Sequence, residues 1–347
     1  MMSFLQYRLA YKAFDLLTFP RLLPGTFSVL QESLFRRKSR AKITILTFTV
    51  FPQLARIWHH VMLPVFAELK KAGYDNEVIM VDCCGDLKSG DFPGVRIVRF
   101  INFRHYHKLD YFVRHFTSSG LVWLSDDDCF VFASRPIAAA CELFEKDPKL
   151  AAYSLHPRPE WKFNIAGVAH RPMGSYSVLV RPGLIKKMGL TFTPSPAHNP
   201  HNGRGYDTCD NMNESFLTNG YAVGEIGEKD KDEMVSCLRA GSSWKPAASC
   251  LSKPALKGFF QNPANHNITL RYTIGSFYTA AHVSEICNEL FRGESWSPVF
   301  TREELLGFTK KINDPALRDY INEEYRWADE AVLNFWRLYK EKHDAIT

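Results

Sequence analysis

The chain has 347 residues, 46% of them hydrophobic, and a formal net charge of +6. That length exceeds one simple domain, and that apolar fraction supports a sizeable core. No run approaches the roughly 18 apolar residues of a membrane-spanning helix, and Arg8, Lys12 and Asp15 interrupt the apolar N-terminus, so no signal peptide is expected. The charge is localised. Residues 1–42 hold eight Lys/Arg against Asp15 and Glu32, which accounts for the whole +6 and leaves a neutral body. A basic head on a neutral body suits an anionic surface. The eight cysteines follow no zinc-like spacing, and free thiols in a reducing cytosol are expected.

In chain order, 2–19 and 26–37 have helical periodicity, with Pro20 and Pro24-Gly25 predicted to separate them and the basic run 36–40 closing the second. Such helices either lie in a bilayer interface or pack on the body. Ile43 to Val50 is β-branched and apolar, a first strand. A helix is predicted over 53–72, kinked at Pro64 and ended by Gly73. Strands follow at 77–81 and 95–101, a helix at 108–118, and a fourth strand at 121–124. This alternation predicts a mostly parallel sheet with right-handed crossovers. Further on, 175–180 alternates like a strand, 182–188 and 210–219 read as helices, and 193–205 is a loop rich in Pro, His, Asn and Gly. Residues 229–265 show no clear pattern. Residues 301–342 are helical, with a hinge near Asp314-Pro315.

The most informative stretch is Leu121 to Phe130, LVWLSDDDCF. Three carboxylates cannot remain inside an apolar strand, because unpaired buried charge is very costly. The strand must deliver Asp126, Asp127 and Asp128 to a solvated edge, and in open α/β sheets that carboxyl edge is where ligands sit. Adjacent acids repel one another unless a cation neutralises them, and a hard divalent ion sharing its shell with a phosphate suits oxygen donors.

With these motifs in place the chain resembles the GT-A-fold glycosyltransferases, nucleotide-sugar-dependent enzymes with a Rossmann-like sheet and a DxD motif. The resemblance covers roughly residues 42–225 in family order. ITILTFTVF, which contains Thr47, resembles the first strand and its ligand-facing loop. VIMVDCCGD is similar to the strand whose terminal acid contacts the nucleotide, here Asp82, with Asp86 beyond it. HKLDYFVRHFTSSGLVWLSDDD resembles the helix and strand leading into the DxD, and includes Lys108. MGSYSVLVRPGLIKKMG resembles the strand and helix that follow on the substrate side. YDTCDNMNESFLTNGYAV resembles the acidic segment closing on a Gly-Tyr, although the usual Glu-Asp pair is Tyr206-Asp207 here, with Asp210 three residues on.

The resemblance implies an α/β, mostly parallel GT-A sheet with helices on both faces, in a domain spanning 42–285. A basic helical segment at 1–41 and a helical extension at 286–347 flank it. It implies an enzyme of the hexosyltransferase class that uses a UDP- or GDP-sugar and Mn²⁺ or Mg²⁺. Asp126 and Asp128 are the implied metal ligands, with Asp126 and Asp127 beside the nucleotide. Asp207 and Asp210 are base candidates for an inverting transfer, Asp210 favoured for its place nearer the helix. His266 and His282 are candidates for a further metal or diphosphate contact. Thr47, Asp82, Asp86 and Lys108 are nucleotide candidates, and Trp161, Trp244 and Tyr176 can stack on sugars. The expected acceptor is a glycan or lipid-linked sugar of cell-surface polysaccharide or glycolipid synthesis. The expected location is the cytoplasmic face of the membrane, reached through residues 1–40. A sugar-nucleotide nucleotidyltransferase competes, but Phe51-Pro52-Gln53-Leu54 lacks the glycines of its phosphate loop. A non-catalytic metal- or nucleotide-binding module is a further alternative. A nucleic-acid partner ranks last, because the neutral body shows no basic stripe.

Overall fold

The computed structural model describes residues 3–35, 41–157, 162–201, 203, 205–238, 241, 243–292 and 296–344. The basic run 36–40 and Trp161 lie outside these residues. The inner strands of the central sheet are buried on both sides. Along β1 (Ile43–Thr49) and β2 (Asn76–Asp82), Ile43, Ile45, Val78 and Met80 enter one core, and Leu46, Phe48, Ile79 and Val81 enter the other. A strand buried on both faces needs helices over each of them. On one side lie α2 (Pro52–Lys71) and two long helices near the C-terminus; on the other lie Val29, Phe112, Phe116, Met212 and Phe216.

The remaining sheet strands are β3 (Arg96–Arg99), β4 (Leu121–Ser125), β6 (Leu150–Ser154), β7 (Ser177–Val180) and β8 (Ala222–Glu225), in the spatial order β8-β6-β7-β4-β1-β2-β3. Six strands run the same way, and β7 alone opposes them, pairing with both β4 and β6. The mostly parallel sheet expected from the alternation is therefore present. Outside it, the short β5 (Cys129–Val131) pairs antiparallel with β9 (Val235–Cys237). Cys129 faces Cys237 in that register with Cα atoms 4.1 Å apart, and the two sulfurs are bonded. This departs from the expectation of free thiols throughout. The partners are 108 residues apart, and only the tertiary pairing of β5 with β9 brings them together.

Helix boundaries bring further corrections. Residues 4–35 form one continuous helix, α1 (Phe4–Phe35), running through Pro20 and Pro24. Thr18 and Thr26 hydroxyls donate to the carbonyls of Phe14 and Leu22, four residues back. Gly25 is no turn residue. A Cβ there would lie 2.5 Å from Arg99 Cβ, so the glycine lets α1 lie directly on β3. Tyr7, Ala10, Phe14, Thr18, Leu22, Thr26 and Val29 form the buried stripe that holds α1 to the body. The opposite stripe is Leu5, Leu9, Leu16, Phe19, Leu23, Phe27, Leu30 and Leu34, all exposed except the half-buried Leu23. Helix α2 continues through Pro64. The helix expected over 108–118 begins earlier, as α3 (His105–Tyr111), and continues as a π-helical turn over Phe112–Phe116. The short helix α4 (Asp210–Thr218) follows as expected. The segment without clear pattern contains helices Glu228–Met234, Lys245–Cys250 and Lys253–Phe260. Periodicity did not mark α5 (Ile268–Leu290), which packs on α6 (Pro315–Asp344).

Replacing Gly25 by Ala forces α1 off β3, an overpacking that costs about 1–3 kcal/mol. Chemical denaturation of Gly25→Ala checks this; unchanged stability would contradict the close approach.

Candidate active site

The site forms where β1 and β4 end side by side. Their parallel register pairs Leu46 with Leu124. Carried three residues further, it sets Thr49 beside Asp127, near enough for its hydroxyl to favour the ionised carboxyl. Two buried tryptophans brace the acid-bearing strand. Trp58 of α2 donates to Ser125 Oγ at 3.2 Å, and Trp123 donates to Ser177 Oγ of β7 at 3.2 Å. After Ser125 the chain turns over Asp126–Asp128, and the Cys129 N–H donates back to the Asp126 carbonyl at 3.1 Å. β5 then leaves in a new direction, tied to β9 by its ladder and the Cys129–Cys237 bond.

All three aspartates line a cavity of about 790 Å³. Asp128 is held from the β9 side: its Oδ2 accepts the Gly241 N–H at 2.9 Å, and its carbonyl accepts the Leu238 N–H at 2.7 Å. A Cβ on Gly241 would stand 3.1 Å from Asp128 Cβ and 3.0 Å from Leu54 Cδ2. Asp127 is buried, and its Oδ2 has no hydrogen-bond partner. Burial, and next the Asp126 charge, push the Asp127 carboxyl up to about 7 against the opposing pull of Thr49 and Lys108. Burial and the charges of both neighbours push Asp128 up as well. Asp126 is the most open of the three to the cavity, with His105 Nε2 3.7 Å from its Oδ1. Burial lowers the pKa of His105, Lys108 lowers it further, and only Asp126 opposes them.

Lys108 is the cation of this group. It is buried, donates to Asn102 Oδ1 at 2.9 Å and to Cys83 Sγ at 3.4 Å, lies over the Phe48 ring, and lines the cavity. A buried ammonium facing a cavity full of carboxylates is suited to an anionic ligand that bridges them.

The other expected residues divide. Asp207 lines the cavity. Asp210 does not: it is fully buried at the first residue of α4, and its Oδ2 accepts the Asp207 N–H at 2.8 Å. Of the two base candidates, the structure therefore puts Asp207 on the cavity wall and Asp210 behind it, bonded to its backbone. Asp82 is also turned inward. Its two oxygens accept N–H groups of Cys84, Gly85 and Leu87, so it shapes the loop after β2 and lines no part of the cavity. Asp86 pairs with Arg21 of α1 at 3.0 Å, on the surface. Thr47 is buried within β1, and Phe48, Thr49 and Val50 reach the cavity in its place. Neither candidate histidine lines the cavity. His266 Nε2 contacts the Phe260 carbonyl at 3.2 Å. His282 is buried on α5, 2.7 Å from Asp329 and 3.3 Å from Glu285. Trp244 is buried against Phe51, whereas Tyr176 lines the cavity beside His156.

Several lining residues escaped the sequence reading. Tyr11 comes from α1, His105 from α3, and Tyr272, Ser276 and Thr279 from α5; Glu324, paired with Arg271 at 2.8 Å, comes from α6. No local pattern marks them, because four separate elements bring them together. One clue was available for His105: it lies three residues before Lys108, and on a helix the two share a face.

No family model matches the chain, and no curated protein matches it. Among solved structures it is similar to 4-diphosphocytidyl-2C-methyl-D-erythritol synthase from Anaerococcus prevotii, with 11% identity and a TM-score of 0.34 over 55% of this chain and 95% of that one. It is also similar to an active-site mutant of LgtC, with 12% identity and a TM-score of 0.28 over 42% of this chain and 59% of that one. Likenesses this loose carry no functional argument.

An acid whose folded pKa is raised stabilises the fold below its unfolded pKa, and that contribution is lost as pH rises through the folded value. For Asp127 the window runs from its ordinary value of 3.8 to about 7. With chelator present, the wild type should therefore melt lower at pH 8 than at pH 5.5, and Asp127→Asn should shrink that difference. An equal difference in the variant would show that Asp127 is not the group responsible. Gly241→Ala should displace the Asp128 carboxylate and cost about 1–3 kcal/mol of stability by overpacking, read by thermal melting; an unshifted melt would contradict the contact.

Proposed function

We propose that the chain is a glycosyltransferase that moves a sugar from a nucleotide-sugar donor to an acceptor hydroxyl, with the donor diphosphate held at the end of β4. The observation that carries this reading is the convergence of Asp126, Asp127 and Asp128 with Lys108 on one cavity at the carboxyl edge of a parallel sheet. In the transfer, the bond between the sugar's anomeric carbon and the diphosphate oxygen breaks as the acceptor oxygen bonds to that carbon. Negative charge grows on the leaving diphosphate, and groups placed beforehand to meet it give the largest rate effect. Lys108 is such a group.

The acids also fit a divalent cation. Asp127 Oδ2 is buried without a hydrogen-bond partner, and burial and mutual repulsion raise both Asp127 and Asp128. Such a site is relieved by a hard cation with oxygen ligands. Among the described residues no group of three His, Cys, Asp or Glu is arranged to hold a metal by itself. Asp126 and Asp128, flanking Asp127, would hold Mn²⁺ or Mg²⁺, with diphosphate and water oxygens completing the shell. When bound, the ion would supply electrostatic stabilisation of the leaving diphosphate.

Asp207 is the base that takes the acceptor proton, because it is the acid on the cavity wall contributed by the segment before α4. A base positioned separately from the metal-binding acids favours inversion. UDP- and GDP-sugars are the donor classes, and the acceptor is a glycan or lipid-linked sugar of cell-surface polysaccharide or glycolipid synthesis. Against a nucleotidyltransferase stands the segment after β1: Phe51 is fully buried against Trp244 and Trp296, and Pro52 opens α2 directly. No glycine-rich backbone cradle lies there.

Asp128→Asn should abolish transfer and remove metal-dependent nucleotide binding, because it takes a charge from the acid group. Asp207→Asn should lower kcat by about 10²–10⁴-fold, the usual weight of general-base catalysis, with nucleotide affinity kept. Assays of nucleoside diphosphate release and of nucleotide calorimetry check both. Release of inorganic pyrophosphate instead would identify a nucleotidyltransferase, and undiminished metal-dependent nucleotide affinity in Asp128→Asn would refute the metal assignment.

A further inference from the structure

We infer that α1 is a docking rod for an anionic phospholipid surface, and that it sets the cavity mouth at that surface so that the acceptor is drawn from the lipid plane. The proposal deepens the glycosyltransferase reading by naming where its acceptor resides, and it rests on that reading for the acceptor alone.

The first observation is the two-sided character of α1. One stripe is spent on the body, and the opposite stripe repeats apolar residues at intervals of three, four or seven along the whole helix. Leu16 is 74% exposed and Leu34 is 78% exposed. Among the described residues, nine of the seventeen large hydrophobic side chains left exposed belong to this one helix. Patches of that extent mark a protein or membrane contact. At 1.5 Å per residue the 32 residues make a rod of about 48 Å. No described helix is long and apolar enough to cross a membrane. A helix with an apolar outer face, fixed to a folded body by its inner one, lies in the interface plane.

Charge selects the occupant. Lys12 interrupts the outer stripe between Leu9 and Leu16, and Arg8 lies at its margin. The two acids of α1 are turned to the body: Asp15 accepts from Asn102, and Glu32 pairs with Arg96. The outer face is therefore apolar and cationic. A second copy of α1 laid on this stripe would bury Lys12 with no carboxylate to meet it, which is costly. At a bilayer the same lysine extends its stem along the apolar boundary and puts its ammonium among the phosphates.

The second observation connects this face to the cavity. The segment after β3 runs along the middle of α1: the Ile101 N–H donates to Thr26 Oγ1 at 3.0 Å, and Asn102 donates to Asp15 at 3.1 Å. The next residue, Phe103, is half exposed and lines the cavity. Tyr11 of α1 lines it too, and exposed Tyr272 adds a second ring to its wall. Exposed rings of Phe103 and Tyr272 thus stand at the opening, on a wall tied to the body side of α1 by Ile101 and Asn102.

The test is sedimentation of the full chain with vesicles of phosphatidylcholine, alone or with 30% phosphatidylglycerol, together with ultracentrifugation without lipid. The proposal expects at least tenfold tighter binding to the anionic vesicles. Leu16→Glu/Phe27→Glu should lose that binding at least tenfold, and Arg8→Glu/Lys12→Glu should lose the preference for phosphatidylglycerol. Both variants should keep the wild-type melting temperature, nucleotide affinity and transfer to a water-soluble acceptor. A wild type that does not sediment with anionic vesicles overturns the proposal while leaving the nucleotide site standing. So does a wild-type dimer that Leu16→Glu/Phe27→Glu dissociates without any vesicle binding. Loss of nucleotide affinity in the wild type would instead strike the functional reading.

Discussion

Three carboxylates in successive positions at the end of a buried strand are the constraint on which the rest of the structure depends. Each alone could turn to water; together they cannot all be solvated, because Ser125 and Cys129 on either side of them are buried. The fold answers by distributing them. Asp126 faces the cavity, Asp127 lies under it against Thr49, and Asp128 is anchored by the Gly241 and Leu238 N–H groups. The strand pair β5–β9 and its sulfur bond serve that anchoring, since they fix the segment that supplies those N–H donors. The acids remain under electrostatic stress, which a cation or an anion-bridged Lys108 relieves.

The site is also a meeting point of layers. The sheet contributes the acids and Thr49, α3 contributes His105 and Lys108, and the helices from both ends of the chain close the far wall. Helix α1 has two tasks in this arrangement. Its inner stripe is part of the core and brings Tyr11 to the wall, and its outer stripe leaves an apolar, cationic face. In the proposed reading, the acids at the sheet edge would take the donor and the helical wall would face the acceptor.

Much of this was legible in the sequence where the signal is local. The apolar run into three acids marked the strand, which does end at a cavity, and the strand–helix alternation marked the mostly parallel sheet. Lys108 and Asp207 were found by resemblance and reach the cavity. Where the structure places residues away from the cavity the sequence suggested for them, the cause is common: an isolated residue type does not reveal its tertiary partner. Asp82 ends a strand as a ligand acid would, yet three loop N–H groups consume it. Asp210 opens a helix and supports Asp207. Pro24-Gly25 reads as a break, but the helix tolerates the prolines and the glycine is needed for contact with Arg99. His282 sits among acids of its own helix pair, remote in role from the aspartates. The Cys129–Cys237 bond and the α5–α6 wall are long-range events that no periodicity encodes.

The central claim is that these aspartates hold a divalent ion jointly with a nucleoside diphosphate. Electron paramagnetic resonance of Mn²⁺ with the protein and UDP or GDP tests it most directly. The account predicts a protein-bound signal, distinct from that of Mn²⁺ with nucleotide alone, with coupling to phosphorus and with its loss in Asp126→Asn/Asp128→Asn. A spectrum identical to that of Mn²⁺ and nucleotide in buffer would contradict it.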